Sequence, residues 1–248
     1  MTKTSSTLSI PQLCREMEYA QHAVECENCG LYEICRVAGL ENNTELLDKI
    51  VARRQKVARD TLLFRAGSPF HAVYAVKSGS FKTTIEEGDG VERIVDFHFP
   101  GELMGLEAIK SKRYNANAHA IEHSSVCILD MHNLKLLGEA LPDMQQQMVQ
   151  AMSEHIQQIK QQSMLAGKQS AEQRLAGFLL MLSQRFAVRG LPATEFKLTM
   201  PRRDIANYLG LAVETVSRLF TQFEDQGVVM VKSKWLRNLD LVRLRSIT

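Results

Sequence analysis

The hydrophobic and polar residues of this chain follow different periods in different regions, and each period predicts a different kind of structure. Across residues 58–129, short runs of β-branched and aromatic residues alternate with glycine turns, as in residues 73–76 followed by Gly79. Many short strands at this spacing predict an antiparallel sandwich or jelly roll. Apolar residues at helical spacing across residues 46–57 predict a short helix before it. Strict alternation across residues 94–99 predicts one shared face for Val95, Phe97 and Phe99.

A helical period returns at residues 142–165, where apolar residues recur at intervals of four and three. They form one narrow stripe along a long helix. Such a stripe can pack on its own domain, but on a helix of this length it favours a seam against a partner helix, and therefore a dimer. The predicted interface residues are Met144, Met148, Met152, Ile156 and Ile159.

The next predicted helix has a defined start and end. Ser170 and Gln173 have the spacing of a capping box, in which both side chains bond backbone N–H groups that the helix leaves open. Gly190 and Pro192 predict its end. The predicted buried face consists of Leu175, Phe178, Leu179, Leu182 and Phe186.

Residues 202–221 have the pattern of a helix-turn-helix. Pro201 suits the first position of a helix, because its missing N–H would be unpaired there anyway. Counting from Arg202, the small Ala206 falls fifth, where two helices cross closely, and Gly210 falls ninth, where the turn needs a positive φ. The predicted core of the motif consists of Ile205, Leu211, Val216 and Leu219.

The second helix of this motif, at about residues 213–223, presents three polar side chains that could read bases. Glu214, Ser217 and Arg218 lie at i, i+3 and i+4, so they enter one groove together. Glutamate can accept from N4 of cytosine, and arginine can donate twice to O6 and N7 of guanine. The alternative is a solvated face with a Glu214–Arg218 ion pair, worth only about 0.3–0.5 kcal/mol. The complete turn pattern favours DNA binding.

Positive charge is concentrated in the same part of the chain. Residues 170–248 carry twelve Lys/Arg against seven Asp/Glu, a balance of +5, whereas residues 1–169 carry eighteen against twenty-one, a balance of −3. Residues 228–231 and 236–241 predict a β-hairpin wing with Lys232, Ser233 and Lys234 at its tip. Such lysines suit phosphates more than bases, so the C-terminal part is predicted to contact a nucleic-acid backbone.

The composition is that of an ordinary globular protein, with 45% hydrophobic and 23% charged residues. The longest apolar runs are far short of a membrane span, and the polar N-terminus lacks the apolar core of a signal peptide. We therefore expect a cytoplasmic protein with no membrane partner, whose five cysteines do not form structural disulfides.

Four of these cysteines suggest a metal centre. Cys26, Cys29 and Cys35 form a C-x2-C-x5-C pattern, and Cys127 lies far downstream in a predicted strand. Thiolates of this kind can converge on one soft metal centre. The residues alone leave three alternatives open: an iron–sulfur cluster, a structural zinc ion, or an exchanging dithiol at Cys26 and Cys29. Cys14 lies outside the pattern and is interpreted as a spare thiol.

The β-rich region, the long helix and the winged helix-turn-helix, in this order, resemble the cyclic-AMP receptor protein/FNR superfamily of bacterial transcription regulators. Residues 207–219, which read NYLGLAVETVSRL, resemble the FNR branch, as does FKLTM at residues 196–200. The resemblance implies an α+β fold. Its parts would be a cysteine-rich cluster-binding segment at residues 1–40, a β-roll sensor domain (jelly-roll, cyclic-nucleotide-binding-like) at 41–141, a dimerisation helix at 142–169 and a winged helix-turn-helix at 170–248.

FNR proteins are oxygen sensors, and the resemblance implies the same role here. The implied cofactor is a 4Fe-4S cluster on Cys26, Cys29, Cys35 and Cys127. While the cluster is intact, a homodimer would bind double-stranded DNA at a two-fold operator resembling TTGAT-N4-ATCAA and control anaerobic metabolism genes, mostly as an activator and sometimes as a repressor. RNA polymerase would be contacted through Glu86, Glu87 and Asp89. The sequence offers no nucleophile–base constellation, so we expect no enzymatic activity.

Two departures from the superfamily pattern change the expectations. The Arg-Ser pair that holds a cyclic phosphate in the cyclic-nucleotide branch is absent at residues 114–118, although Pro-Gly-Glu-Leu is kept at residues 100–103. No cyclic nucleotide is therefore expected, while Lys110, Lys112 and Arg113 leave some anion binding open. Ile159 stands where many FNR proteins carry an aspartate, and an apolar residue there predicts dimerisation that is partly independent of the cluster.

Overall fold

The computed structural model describes residues 51–88, 90–130 and 170–248, and within the predicted long helix residues 149, 152, 153, 156, 157 and 160. The N-terminal part of the described chain is a β-roll. Its elements are β1 (Val51–Val57), β2 (Leu62–Phe64), β3 (Ala72–Ser78), β4 (Phe81–Glu87), β5 (Val91–His98), β6 (Leu103–Met104), α1 (Ala108–Ser111), β7 (Asn117–Ala120) and β8 (Ser124–Asp130).

The β-roll consists of two four-stranded antiparallel sheets, with strand orders β1-β8-β3-β6 and β2-β7-β4-β5. Their inner faces enclose an aromatic core in which Tyr114 stacks on Phe64 with 4.2 Å between ring centroids. The Tyr114 hydroxyl donates to the Ala72 carbonyl at 2.8 Å, which satisfies the one polar atom of a side chain that is 1% exposed. The strands confirm the predicted jelly-roll class.

The prediction of a helix over residues 46–57 is wrong where the structure can test it. Residues 51–57 form β1, which pairs with β8 from Val51 opposite Leu129 to Val57 opposite Ser124. The helical spacing rested on apolar residues at the start of this range. Non-local pairing along a whole strand outweighs so short a local signal, because strand formation depends mainly on cross-strand neighbours.

The alternation across residues 94–99 is also interrupted. Thr83 lies opposite Asp96 and Thr84 opposite Ile94, so Val95 is an extra residue in β5 with no partner on β4. Such a β-bulge shifts the side chains that follow by one position. As a result Val95 is 37% exposed, while Ile94 and Phe97 are buried, and the prediction of one face for Val95, Phe97 and Phe99 is wrong at Val95.

The C-terminal part contains α2 (Ala171–Val188), β9 (Phe196–Lys197), α3 (Arg202–Leu209), α4 (Val213–Asp225), β10 (Met230–Lys232), β11 (Trp235–Arg237) and α5 (Leu241–Ile247). The predicted capping box of α2 is confirmed: the Gln173 N–H donates to the Ser170 hydroxyl at 3.2 Å, and the Ser170 N–H donates to the Gln173 side chain at 3.0 Å. All five residues predicted for its apolar face are buried.

The wing is a three-stranded sheet, and it is followed by a helix that the sequence pattern did not predict. The hairpin prediction extended through residue 241, but β11 ends at Arg237, where Asn238 adopts a positive φ of 51°. Asp240 then caps α5 by accepting from the N–H groups of Val242 and Arg243 at 3.1 and 3.0 Å. The structure also differs from the sequence prediction at Pro201, which is the N-cap of α3 and not its first helical residue.

A buried ionic network joins α2 to the β-roll. Arg185, 5% exposed, donates to both carboxylate oxygens of Glu102 and to Asp96, and also to the Phe97 carbonyl at 2.6 Å. Arg189 adds a second cation 3.5 Å from Glu102. Burial alone would raise the pKa of Glu102, but the charges of Arg185 and Arg189 hold that pKa below its usual value. The network therefore stays ionised and fixes α2 against β5.

The six described residues of the predicted long helix are all helical, with Ile156 54% exposed. Within the described residues, no helix combines the length and the apolar character that crossing a membrane requires.

Candidate DNA-reading site and metal centre

The turn between α3 and α4 has the geometry that the sequence pattern predicts. Gly210 adopts φ +63° and ψ +41°, and the Leu211 N–H donates to the Ala206 carbonyl at 2.9 Å. A Cβ atom built on Gly210 would approach nothing closer than the Arg174 guanidinium at 3.9 Å, so the glycine is needed for its left-handed backbone and not for space. Ala206 is 1% exposed at the crossing of the helices.

The structure brings Glu214, Ser217 and Arg218 together on the exposed face of the first two turns of α4. The Ser217 hydroxyl donates to the Val213 carbonyl at 2.9 Å, a bond that it can exchange for one to a ligand by rotating about χ1. Among the ion pairs of residues 170–248 there is none between Glu214 and Arg218, so the alternative of an intrahelical pair finds no support. The opposite face of α4 is buried through Val216, Leu219, Phe220 and Phe223.

Arg202 has a role that its position in the pattern did not reveal. Its guanidinium lies over the Phe220 ring, 3.3 Å from the centroid. Burial lowers the pKa of Arg202 to about 10, while Glu224 acts in the opposite direction. This cation–π contact fixes the crossing of α3 and α4. In the sequence, a basic residue at the start of one helix and an aromatic residue in the next helix were the signal that could have indicated this contact.

The wing hairpin of β10 and β11 follows α4 in the chain. Lys232, Ser233 and Lys234 are exposed at its tip, and Ser233 adopts a positive φ of 59°. The Glu224 carboxylate accepts from the Val231 N–H at 2.9 Å and so joins the wing to α4. The lysines therefore lie at the tip of a hairpin whose position relative to the reading helix is fixed.

An acidic hairpin joins β4 to β5 in the β-roll. Glu86 and Glu87 are exposed at the end of β4, facing Glu92 and Val91 across the turn to β5. Arg93 donates to Glu87 at 3.1 Å between half-exposed side chains. Asp89, the third residue predicted to contact RNA polymerase, lies outside the described residues.

The structure describes one of the four predicted metal ligands. Cys127 is half-buried in the middle of β8, opposite Ala75 of β3 on one side and Arg54 of β1 on the other. Its neighbours Ala75, Val73 and Leu129 are buried apolar residues, and a partly exposed thiol beside them can serve as one ligand of a soft metal centre. Cys26, Cys29 and Cys35 lie outside the described residues, and within those residues no three His, Cys, Asp or Glu side chains are grouped to hold a metal ion.

Two of the five predicted dimer residues are described. Met152 is half-buried and Ile156 exposed, and both are helical at a spacing of four, which puts them on one face. Met144, Met148 and Ile159 lie outside the described residues.

Comparison with known protein families agrees with this arrangement. Residues 54–139 match the cyclic nucleotide-binding domain, and residues 173–247 match the Crp-like helix-turn-helix domain. The chain is 40% identical over 220 residues to the transcriptional activator protein anr of Pseudomonas aeruginosa, a match that covers 88% of this chain and 90% of the relative. It is 39% identical to the fumarate and nitrate reduction regulatory protein of Salmonella typhimurium, covering 91% of this chain and 90% of the relative.

Solved structures share the fold. FixK2 from Bradyrhizobium japonicum superposes with a TM-score of 0.70 at 28% identity, covering 79% of this chain and 96% of that one. CooA from Carboxydothermus hydrogenoformans superposes with a TM-score of 0.65 at 20% identity, covering 85% of this chain and 93% of that one, and this likeness concerns the fold alone.

Proposed function

This chain belongs to the FNR/ANR-type transcription regulators of the CRP/FNR family, and we propose that it is an oxygen-responsive member. As a member of this family it is a DNA-binding regulator and not an enzyme. In the proposal it is cytoplasmic and binds a two-fold operator as a homodimer while a 4Fe-4S cluster is intact. It then controls anaerobic metabolism genes, usually as an activator and at some promoters as a repressor.

The exposed triad on α4 carries the DNA-reading part of this proposal. Glu214 would accept from N4 of cytosine, Arg218 would donate to O6 and N7 of guanine, and Ser217 would adapt its hydroxyl to either strand. These contacts suit half-sites such as TTGAT and its complement, which contain one G·C pair. The exposed Lys232 and Lys234 would contact phosphates beside them.

Cys127 supports the cluster part of the proposal. Its thiolate would join those of Cys26, Cys29 and Cys35 as the ligand set, and the cluster, when bound, would supply an oxygen-labile centre. Because β8 is paired on both sides by β1 and β3, ligation at Cys127 would link the N-terminal cysteines to an interior strand of this sheet. Loss of the cluster would release that link.

The residues of the β-roll that could meet a cyclic nucleotide are engaged in internal contacts. Tyr114 is 1% exposed and stacks on Phe64 at the segment that lacks the Arg-Ser pair. Glu102, in the retained Pro-Gly-Glu-Leu stretch, forms ion pairs with Arg185 and Arg189. These contacts support a signal other than a cyclic nucleotide, even though residues 54–139 match that domain.

The acidic hairpin supports a role in activation. Glu86 and Glu87 are exposed at the end of the β4–β5 strand pair, and Asp89 follows them in sequence. In the proposal this tip contacts RNA polymerase when the regulator is bound at a promoter.

Metal analysis of the full chain purified without oxygen tests the cofactor. A brown protein with about four irons and four sulfides per chain supports the proposal. A colourless protein with one zinc would instead favour a zinc-stabilised, ligand-gated regulator of the same family. A metal-free protein whose Cys26 and Cys29 exchange disulfides would favour a redox dithiol.

A further inference from the structure

The first helix of the DNA-reading motif is attached directly to an edge strand of the β-roll. In the sheet order β2-β7-β4-β5, strand β5 is an outer strand, so the backbone groups on its outer side have no strand partner among the described residues. Asn207 of α3 occupies this position. Its side-chain oxygen accepts from the Ile94 N–H at 2.7 Å, and its side-chain nitrogen donates to the Glu92 carbonyl at 2.9 Å.

This pair of bonds fixes α3 in a defined register along β5. A carboxamide that bonds one N–H and one C=O on the same strand edge behaves as a short strand partner, and it cannot slide by one residue without losing both bonds. The contact lies immediately before the bulge at Val95. Residues 92–94 still pair with residues 84–86 of β4 in regular register, so the Ile94 N–H and the Glu92 carbonyl are open to Asn207 because β5 is an outer strand.

A second contact lies one turn earlier on the same helix. The Lys82 ammonium on β4 donates to the Asp204 carboxylate at 2.7 Å, with Asp204 7% exposed at its side chain. One residue after Asn207, Tyr208 packs on Phe97 with 5.2 Å between ring centroids. Together Asp204, Asn207 and Tyr208 hold α3 against both β4 and β5.

The reading helix is positioned through this contact. α4 packs on α3 and α2, joined by the Gly210 turn and by Arg202 over Phe220. The face of α4 with Glu214, Ser217 and Arg218 remains exposed while α3 is attached to β5. The attached arrangement is therefore compatible with DNA binding.

We infer that Asn207 is a positioning residue that sets the distance and tilt at which the two reading helices of a dimer meet the operator. This inference rests on the proposed function, because it needs a dimer on a two-fold site. Dimeric helix-turn-helix proteins select half-sites at a fixed separation, since their reading helices are held rigidly relative to the dimer axis. Loosening α3 from β5 leaves α4 intact but lets the two helices adopt several separations.

The test uses the anaerobically purified full chain and duplexes with the TTGAT and ATCAA half-sites. Spacers of four base pairs, one pair shorter, and one or two pairs longer are compared. Asn207→Ala removes both bonds, and Asn207→Asp keeps the acceptor but loses the donor. Lys82→Met removes the ion pair and keeps the aliphatic stem. Asn115→Ala is the matched control, because this exposed asparagine accepts only from Ser111 within one loop of the β-roll.

The wild-type protein and Asn115→Ala are expected to prefer the four-base-pair spacer. The ratio of the affinity for the four-base-pair spacer to the affinity for the other spacers is expected to fall by about tenfold in Asn207→Ala, the equivalent of one or two lost hydrogen bonds. This ratio should fall further when Asn207→Ala is combined with Lys82→Met. Discrimination at the guanine position within each half-site is expected to stay unchanged, because α4 is not altered. A general loss of folding would weaken both readouts together, and Lys82→Met alone, which leaves the Asn207 bonds in place, then serves as the second variant and should also lower the spacer preference.

The outcomes separate this inference from the proposed function. An unchanged spacer preference in Asn207→Ala, or tighter binding to the four-base-pair operator, would overturn the positioning role. Wild-type protein that binds none of these duplexes would contradict the proposed function itself.

Discussion

Arg218 projects from the second turn of α4 with its side chain exposed and no ion pair to Glu214 within the C-terminal described residues. If it reads guanine, Arg218→Ala should cost about 1–3 kcal/mol of binding free energy and should relax base choice at the guanine position. Arg218→Lys retains the charge but not the two parallel donors. Compared with Arg218→Ala, it should therefore restore more of the affinity for the operator than of the discrimination between bases. Binding to operators with each base at that position measures both effects.

The exposed Arg245 on α5 offers a matched control for charge. Arg245→Ala removes one positive charge from the same domain and should leave base discrimination intact. An Arg218→Ala protein that still distinguishes guanine as sharply as the wild type would contradict the assignment of this residue.

Single residues also show what the sequence could reveal. Gly210, Ala206 and the triad on α4 follow a fixed numerical pattern within one local motif, so counting from Arg202 was enough to find them. The contacts of Arg202 with Phe220 and of Asn207 with the edge of β5 join different elements, and the pattern within one segment does not specify them. Roles that arise from tertiary contacts could not be predicted from the sequence for that reason.

At the scale of elements, the attachment of α2 to β5 depends on the buried carboxylate of Glu102. Glu102→Gln removes the charge between Arg185 and Arg189 and should lower the free energy of unfolding by about 3–5 kcal/mol, because buried Arg189 loses this carboxylate and Arg185 keeps only Asp96. Chemical denaturation at neutral pH measures this change. Glu92→Gln, at an exposed position on β5, is the control and should change little.

The same carboxylate gives a pH dependence. Arg185 and Arg189 hold the pKa of Glu102 below its ordinary value of 4.5, so its contribution is complete above that value. It is lost as the pH falls through the lower pKa of the folded state. The wild type should therefore lose stability on acidification more steeply than Glu102→Gln, and equal slopes for the two proteins would be inconsistent with this role.

The elements themselves were predictable to different degrees. The capping box of α2 and its apolar face are local signals, and both are confirmed. β1 and the bulge at Val95 were missed, because pairing with another strand decides both and a period within one segment does not record it. α5 was missed because its seven residues are too few for a helical period to stand out, although Asp240 was a readable cap.

At the scale of the whole molecule, the proposed switch depends on how strongly the dimer needs its cluster. An apolar Ile159 in the predicted interface would favour pairing even without metal, whereas a pair of buried aspartates would oppose it. Sedimentation of the cluster-free protein at micromolar concentration should detect dimer. Ile159→Asp should shift it to monomer, and Lys160→Asp, at an exposed neighbouring position, provides a control for added charge. A wild-type protein that is wholly monomeric without the cluster would refute this expectation.

If the cluster gates DNA binding, oxygen should remove the cluster and DNA binding together. The most direct measurement is operator affinity of one anaerobically prepared sample before and after exposure to oxygen, with iron content followed in parallel, for the wild type and for Cys127→Ser. We expect tight binding by the intact wild type, weaker binding as iron is lost, and weak binding throughout for Cys127→Ser. Oxygen-insensitive binding, or full binding by an iron-free Cys127→Ser protein, would contradict the proposed oxygen switch.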